Sequence, residues 1–134
     1  MFNKKKQPPI RSLIAEDSEI EGNLKFTDGL RIDGKVHGNV SARAEAASIL
    51  VISETGAVTG ELIADHIIVN GTVRGPVHAR VMLELQPKAR IEGDVYYTAL
   101  EMHQGAIIDG QLRPGVEEEK PTLNLAANNR QLNG

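Results

Sequence analysis

The chain has 134 residues, 40% of them hydrophobic but only 3% aromatic, and no cysteine. That length gives one domain, and the missing cysteines exclude disulfides, thiol catalysis and thiolate metal sites. The net charge of −3 is uneven: Lys4, Lys5, Lys6 and Arg11 give residues 1–11 a charge of +4, leaving −7 on the remainder, a balance that argues against nucleic-acid binding.

Residues 1–15 read as an unstructured basic leader. Pro8-Pro9 favours an extended backbone and supplies no ladder donors. Residues 3–9 are Asn-Lys-Lys-Lys-Gln-Pro-Pro, so no signal-peptide hydrophobic region follows the start, and Phe2 excludes the myristoylation pattern. No apolar run approaches the ~20 residues that span a bilayer as a helix. The default location is the cytoplasm.

Residues 16–113 read as β structure built on one unit, Ile/Val-x-Gly-x-Val/Leu. It occurs at Ile20–Leu24, twice within Ile32–Val40, at Val58–Leu62, twice within Val69–Val77, at Ile91–Val95 and at Ile108–Leu112. Alternation sends Ile, Gly, Val and Leu to one side. The other side receives Glu21, Asn23, Asp33, Lys35, His37, Asn39, Thr59, Glu61, Asn70, Thr72, Arg74, Pro76, Glu92, Asp94, Asp109 and Gln111, none of them a large apolar residue. Strands with one buried face follow.

Glycine weakens a regular strand, so each inward glycine needs a local reason; a bend, where a Cβ would crowd a narrow interior, supplies one. Glycines 22, 38, 60, 75, 93 and 110 are spaced by 16, 22, 15, 18 and 17 residues. A period near 17 fits one coil of a β-solenoid, with coils stacked through parallel ladders. Asn70-Gly71, the best hairpin turn in the chain, lies inside an alternating run. The region makes about five or six coils, a rod roughly 25–30 Å long. Residues 114–134, opening on Pro114 and rich in Glu, Asn and Gln, read as a disordered polar tail.

Little in the chain points to chemistry. His37, His66, His78 and His103 sit at different offsets from their nearest motif glycine and read as scattered surface histidines rather than a metal site. Gly34 and Gly38 are placed inside a strand, not at a helix N-terminus, so they do not cradle phosphate. The strict six-residue repeat of the β-helical acyltransferases is absent. The expectation is a non-enzyme without cofactor or metal.

Two features are left to carry function. Met1, Phe2, Lys4, Lys5 and Lys6 combine an apolar anchor with a basic cluster suited to an anionic lipid surface, weakly in one copy and strongly in an array. The second feature is the pair of solenoid ends. No capping helix is legible at either one, and an uncapped coil presents unpaired N–H and C=O groups around an apolar core. Ile20, Leu24 and Phe26 at one end, and Ile107, Ile108 and Leu112 at the other, are the expected contacts of an end-to-end polymer.

A basic leader, a Gly-punctuated core and a Pro-containing polar tail together resemble the bactofilins, bacterial polymer-forming cytoskeletal proteins. The match is carried by Ile20-Glu-Gly-Asn-Leu24, Leu30-Arg-Ile-Asp-Gly-Lys-Val-His-Gly-Asn-Val40, Ile68-Val-Asn-Gly-Thr-Val-Arg-Gly-Pro-Val77 and Ile91-Glu-Gly-Asp-Val95. The resemblance implies a right-handed parallel β-helix and apolar filaments formed without nucleotide, through contacts between like ends. It also implies attachment to the inner face of the cytoplasmic membrane through the leader, and scaffolding of cell-wall synthases, hydrolases or segregation factors that influence cell shape. The alternative is a non-polymerising interaction module similar to the C-terminal β-helix domain of the Min-system septum inhibitor.

Overall fold

The computed structural model describes residues 7–44 and 46–114. Fifteen strands wind into six coils, with every strand pairing parallel. The first coil is β1 (Ile10–Ile14), β2 (Glu19–Glu21) and β3 (Leu24–Phe26); the second is β4 (Asp28–Ile32), β5 (Lys35–His37) and β6 (Val40–Ala42). The third is β7 (Ser48–Ile52), β8 (Ala57–Thr59) and the start of β9 (Leu62–Val69); the fourth is the rest of β9, β10 (Thr72–Arg74) and the start of β11 (Val77–Leu85). The fifth is the rest of β11, β12 (Arg90–Glu92) and the start of β13 (Val95–Met102); the sixth is the rest of β13, β14 (Ile107–Asp109) and β15 (Leu112–Pro114). Each coil thus has three straight sides. The second side forms a six-stranded sheet, and the first and third join into a nine-stranded one.

The register puts like on like. On the second side Ile20, Val36, Val58, Val73, Ile91 and Ile108 stack in one inward row, with steps of 16, 22, 15, 18 and 17 residues. These are the spacings of the motif glycines. On the third side Leu24, Val40, Leu62, Val77, Val95 and Leu112 form the corresponding row. The first side contributes two rows, one running Leu30, Leu50, Ile67, Leu83, Leu100 and the other Ile14, Ile32, Ile52, Val69, Leu85, Met102. The middle members are at most 3% exposed, and removing each such side chain from water is worth about 1.5–3 kcal/mol. A core this narrow has little room for rings, which accounts for the aromatic shortage. Of the sixteen residues assigned to the outer side, none is buried.

The motif Ile32–Val40 crosses two corners rather than lying along one strand. Asp33-Gly34 joins β4 to β5, and Gly38-Asn39 joins β5 to β6. Gly34 and Gly38 therefore stand in bends, not in a strand interior, and it is the bend that explains their place. The stacking is tightest in the column containing Gly38 and Gly60. Gly60 has φ +150°, and a Cβ there would fall on the Gly38 carbonyl oxygen. The asparagines that follow Gly22 and Gly38 each clip the next coil. Asn23 Oδ1 accepts the Asn39 N–H at 2.8 Å, and Asn39 Oδ1 accepts the Glu61 N–H at 2.9 Å. The long step of 22 arises because residues 43–47 and Ser53–Gly56 lengthen two corners on the way from β5 to β8.

The leader boundary drawn at residue 15 needs correction. Ile10–Ile14 is β1, paired with β4, so the solenoid begins before residue 16. Two features hide it. Its pairing shifts register between Ile10 and Ser12, and it places Ser12, not an aliphatic, beside Leu30. Met1, Phe2, Lys4, Lys5 and Lys6, and the tail from residue 115, lie outside the described residues.

Candidate functional site

The two ends of the rod are where the inward rows stop. At the C-terminal end Met102 and Leu112 continue rows whose inner members are 0% exposed, yet they are 45% and 47% exposed themselves. Leu100, Ala106 and Ile108 pack against the core from the same coil and are only partly buried. At the N-terminal end Ile14, Ile20 and Leu24 occupy the equivalent places. The backbone is open there too. β2 and β14 are the outermost strands of the six-stranded sheet, and β1 and β15 end the path of the other. Among the described residues nothing pairs with these edge strands, and an apolar cross-section with a free strand edge is a template for a further coil.

Of the six residues assigned to end contacts, Ile20, Leu24, Ile108 and Leu112 are placed at the ends. Phe26 is not available: it is 7% exposed and packs inside the core, because the smaller Ala42 beside it in the next coil leaves the ring room to lie inward. Ile107 is 48% exposed but stands beside Arg90 in an outward row, so it faces sideways rather than along the rod. Ile14, Leu100 and Met102 are end residues that the sequence motif does not mark. They belong to the first side, where the Ile/Val-x-Gly-x-Val unit begins only at Ile32 and Val69; only the alignment of Met102 with Leu85 and of Leu100 with Leu83 identifies the last two.

The last coil is pinned by Asp94. Its Oδ1 accepts the Gln111 N–H at 3.0 Å and its Oδ2 accepts from Arg113 Nε at 3.2 Å. The Gln111 amide first, and Arg113 second, hold the Asp94 carboxyl below the usual carboxylate range. Asp33, at the corner after β4, is lowered likewise, by hydrogen bonding to Ser53 and then to Arg31.

The histidines do not all fit the description of scattered surface groups. His66 is 9% exposed, buried on the outer side of the first face. His103 Nε2 lies 3.2 Å from Glu84 Oε2 and 3.5 Å from Glu101 Oε2. The three side chains offer ligand atoms all within 4.8 Å of one another, a set that can hold a divalent cation. Sequence spacing conceals this because Glu84 and Glu101 become neighbours only through the 17-residue coil step. An open hollow beside the first corner is lined by Glu16, Arg31, Asp33, Ser53, Glu54 and Asn70, and most of its charges are engaged: Arg31 with Asp33 at 2.8 Å, Glu54 with Lys88 at 2.9 Å.

Comparison with known proteins gives one match. The model of a family described as "Bactofilin: Polymer-forming cytoskeletal" covers residues 12–113, from within β1 to within β15. No curated protein and no solved structure matches the chain.

Proposed function

The chain belongs to the bactofilin family of polymer-forming cytoskeletal proteins, and on that footing we propose that it assembles end to end, without nucleotide, into filaments on the inner face of the cytoplasmic membrane. The observation that carries this reading is the pair of apolar ends, open among the described residues, with Met102 and Leu112 half exposed in rows whose inner members are fully buried. Stacking another coil on either end buries those side chains and pairs the edge strands. No chemical step is asked of the protein; its work is to place other things. The partners would be cell-wall synthases, hydrolases or segregation factors, docked along the rod's polar sides.

Met1, Phe2, Lys4, Lys5 and Lys6 serve in this reading as the membrane contact. Each lysine near an anionic leaflet contributes about 1 kcal/mol. Burying the Phe2 ring adds about 1.5–3 kcal/mol. One leader is a weak ligand, and a filament presents many at once. Full-length protein is expected to co-sediment with vesicles containing anionic phosphatidylglycerol. Deletion of residues 2–6 is expected to lower the bound fraction at least tenfold while leaving assembly intact. Unchanged co-sedimentation of the deletion variant would remove the membrane from the proposal.

A further inference from the structure

Three histidines reach a carboxylate on the preceding coil, and one of them differs from the other two. His37 Nε2 lies 2.8 Å from Glu19 Oε2, and His78 Nε2 lies 2.8 Å from Glu61 Oε2, each with a single carboxylate. His103 stands between two carboxylates at longer range, 3.2 Å from Glu84 Oε2 and 3.5 Å from Glu101 Oε2. Glu84 and Glu101 are register partners in an outward row of β11 and β13. Like charges set side by side on a sheet repel. Among the described residues no lysine or arginine pairs with either glutamate. Two carboxylates therefore share one imidazole, and the register leaves negative charge for a cation to neutralise.

We propose that Glu84, Glu101 and His103 form a binding site for a divalent transition metal of the zinc class. Two ligand atoms on one tetrahedral zinc, each ~2.0–2.1 Å from the ion, stand ~3.3 Å apart. The His103 contacts, at 3.2 and 3.5 Å, match that spacing better than they match the 2.8 Å hydrogen bonds of the other two histidines. All three ligand atoms lie within 4.8 Å of one another, and the Glu101 side chain, 54% exposed, is free to close the set. Gln86 Nε2 donates to Glu84 Oε2 at 3.3 Å and orients that carboxylate from behind, as an outer-shell partner does. One imidazole nitrogen and two carboxylates leave the fourth zinc position to water. The imidazole favours zinc, cobalt or nickel over magnesium and calcium, which take oxygen shells.

The site joins two coils. Glu84 belongs to the fifth coil, and Glu101 and His103 belong to the sixth, on either side of Met102, which continues the inward row of Leu85. A bound ion ties the last coil to the one before it from outside the core. It stabilises the C-terminal end of the rod without being needed for the fold, and binding requires no assembly.

Equilibrium dialysis of the full-length chain against zinc chloride counts the ions bound. About one zinc per chain is expected at micromolar free zinc. Glu101→Gln and His103→Gln are each expected to weaken binding at least about tenfold, while melting like wild type in EDTA. His78→Gln, which removes a histidine that meets one carboxylate, is expected to bind zinc like wild type. Zinc is expected to raise the melting temperature of the wild type by at least about 4 °C and to leave that of Glu101→Gln unmoved. Cobalt(II) in place of zinc reads the geometry without any variant, because a tetrahedral site gives intense visible bands and hydrated cobalt only weak ones. No uptake at ~100 μM free zinc would overturn the site. So would uptake that the Glu101 and His103 substitutions leave unchanged, which means an adventitious ion only. Calcium displacing zinc at equal concentration, or a weak octahedral cobalt spectrum, would overturn it as well.

Discussion

Gly60→Ala is expected to cost at least about 3 kcal/mol and to leave the domain largely unfolded at ambient temperature. Two effects combine at this corner. The backbone sits at φ +150°, which L side chains rarely adopt, and the new Cβ would fall on the Gly38 carbonyl oxygen. That oxygen belongs to the backbone of the adjacent coil, and Gly38 is in turn stacked on the backbone of Gly22. There is no flexible side chain to yield. The same substitution at Gly22 is the control. Gly22 has φ +132° but nothing within 4 Å of the position a Cβ would take, since it lies in the first coil. Only the conformational cost applies there, about 1 kcal/mol. Urea unfolding of the two variants distinguishes the two effects. A Gly60→Ala protein as stable as Gly22→Ala would mean that coil-on-coil contact does not dictate glycine at these corners.

Leu112→Lys is expected to convert filaments into species no larger than a dimer joined through the N-terminal ends, while the fold survives. Leu112 lies in the last coil, 47% exposed, so a lysine there keeps its ammonium in water in the isolated domain. Across an end contact the same ammonium would be buried against apolar side chains without a partner, at a cost of several kcal/mol. About 2.7 kcal/mol corresponds to a hundredfold weaker contact, so the concentration needed for assembly should rise at least that much. Glu92→Lys changes charge by more but lies on the exposed second side at 56% side-chain exposure, away from the ends, and should assemble like wild type. Sedimentation velocity of the two variants side by side makes the comparison. Filaments formed equally by both would move the joint away from the C-terminal end.

Most of the fold is legible in the sequence because the solenoid repeats its local rule. Each Ile/Val-x-Gly-x-Val/Leu unit that spans the second corner places an aliphatic on the second side, a glycine in the corner and an aliphatic on the third side, so glycine spacing equals coil length. Ile91 to Ile108 and Gly93 to Gly110 take the same step. The first side obeys no such rule. Its strands, such as Ser48–Ile52, are paired on both edges and read as continuous apolar runs, so inward Leu50 and outward Val51 look alike in sequence. For that reason β1 merges into the leader when the chain is read alone, and Met102 and Leu100 do not stand out as end residues.

The misplaced end residues have related causes. Phe26 follows the motif closely enough to read as terminal, yet its ring fills the space left by Ala42, a compensation between coils invisible along the chain. Ile107 is apolar and next to inward Ile108, but period-two alternation turns it outward beside Arg90. The convergence of Glu84, Glu101 and His103 similarly depends on two coils being in register. Contacts of this kind are fixed by the register between coils, which corners of different length preserve and which the sequence along one coil does not display.

Electron microscopy of the purified full-length protein in buffer free of nucleotide and divalent metal tests the central claim most directly. Six coils at ~4.8 Å predict unbranched filaments with a subunit spacing of roughly 30 Å, and contacts between like ends make the axial repeat two subunits, roughly 60 Å. A monodisperse 14.5 kDa monomer at every concentration, or filaments whose subunit spacing departs from the length of the rod, would contradict it.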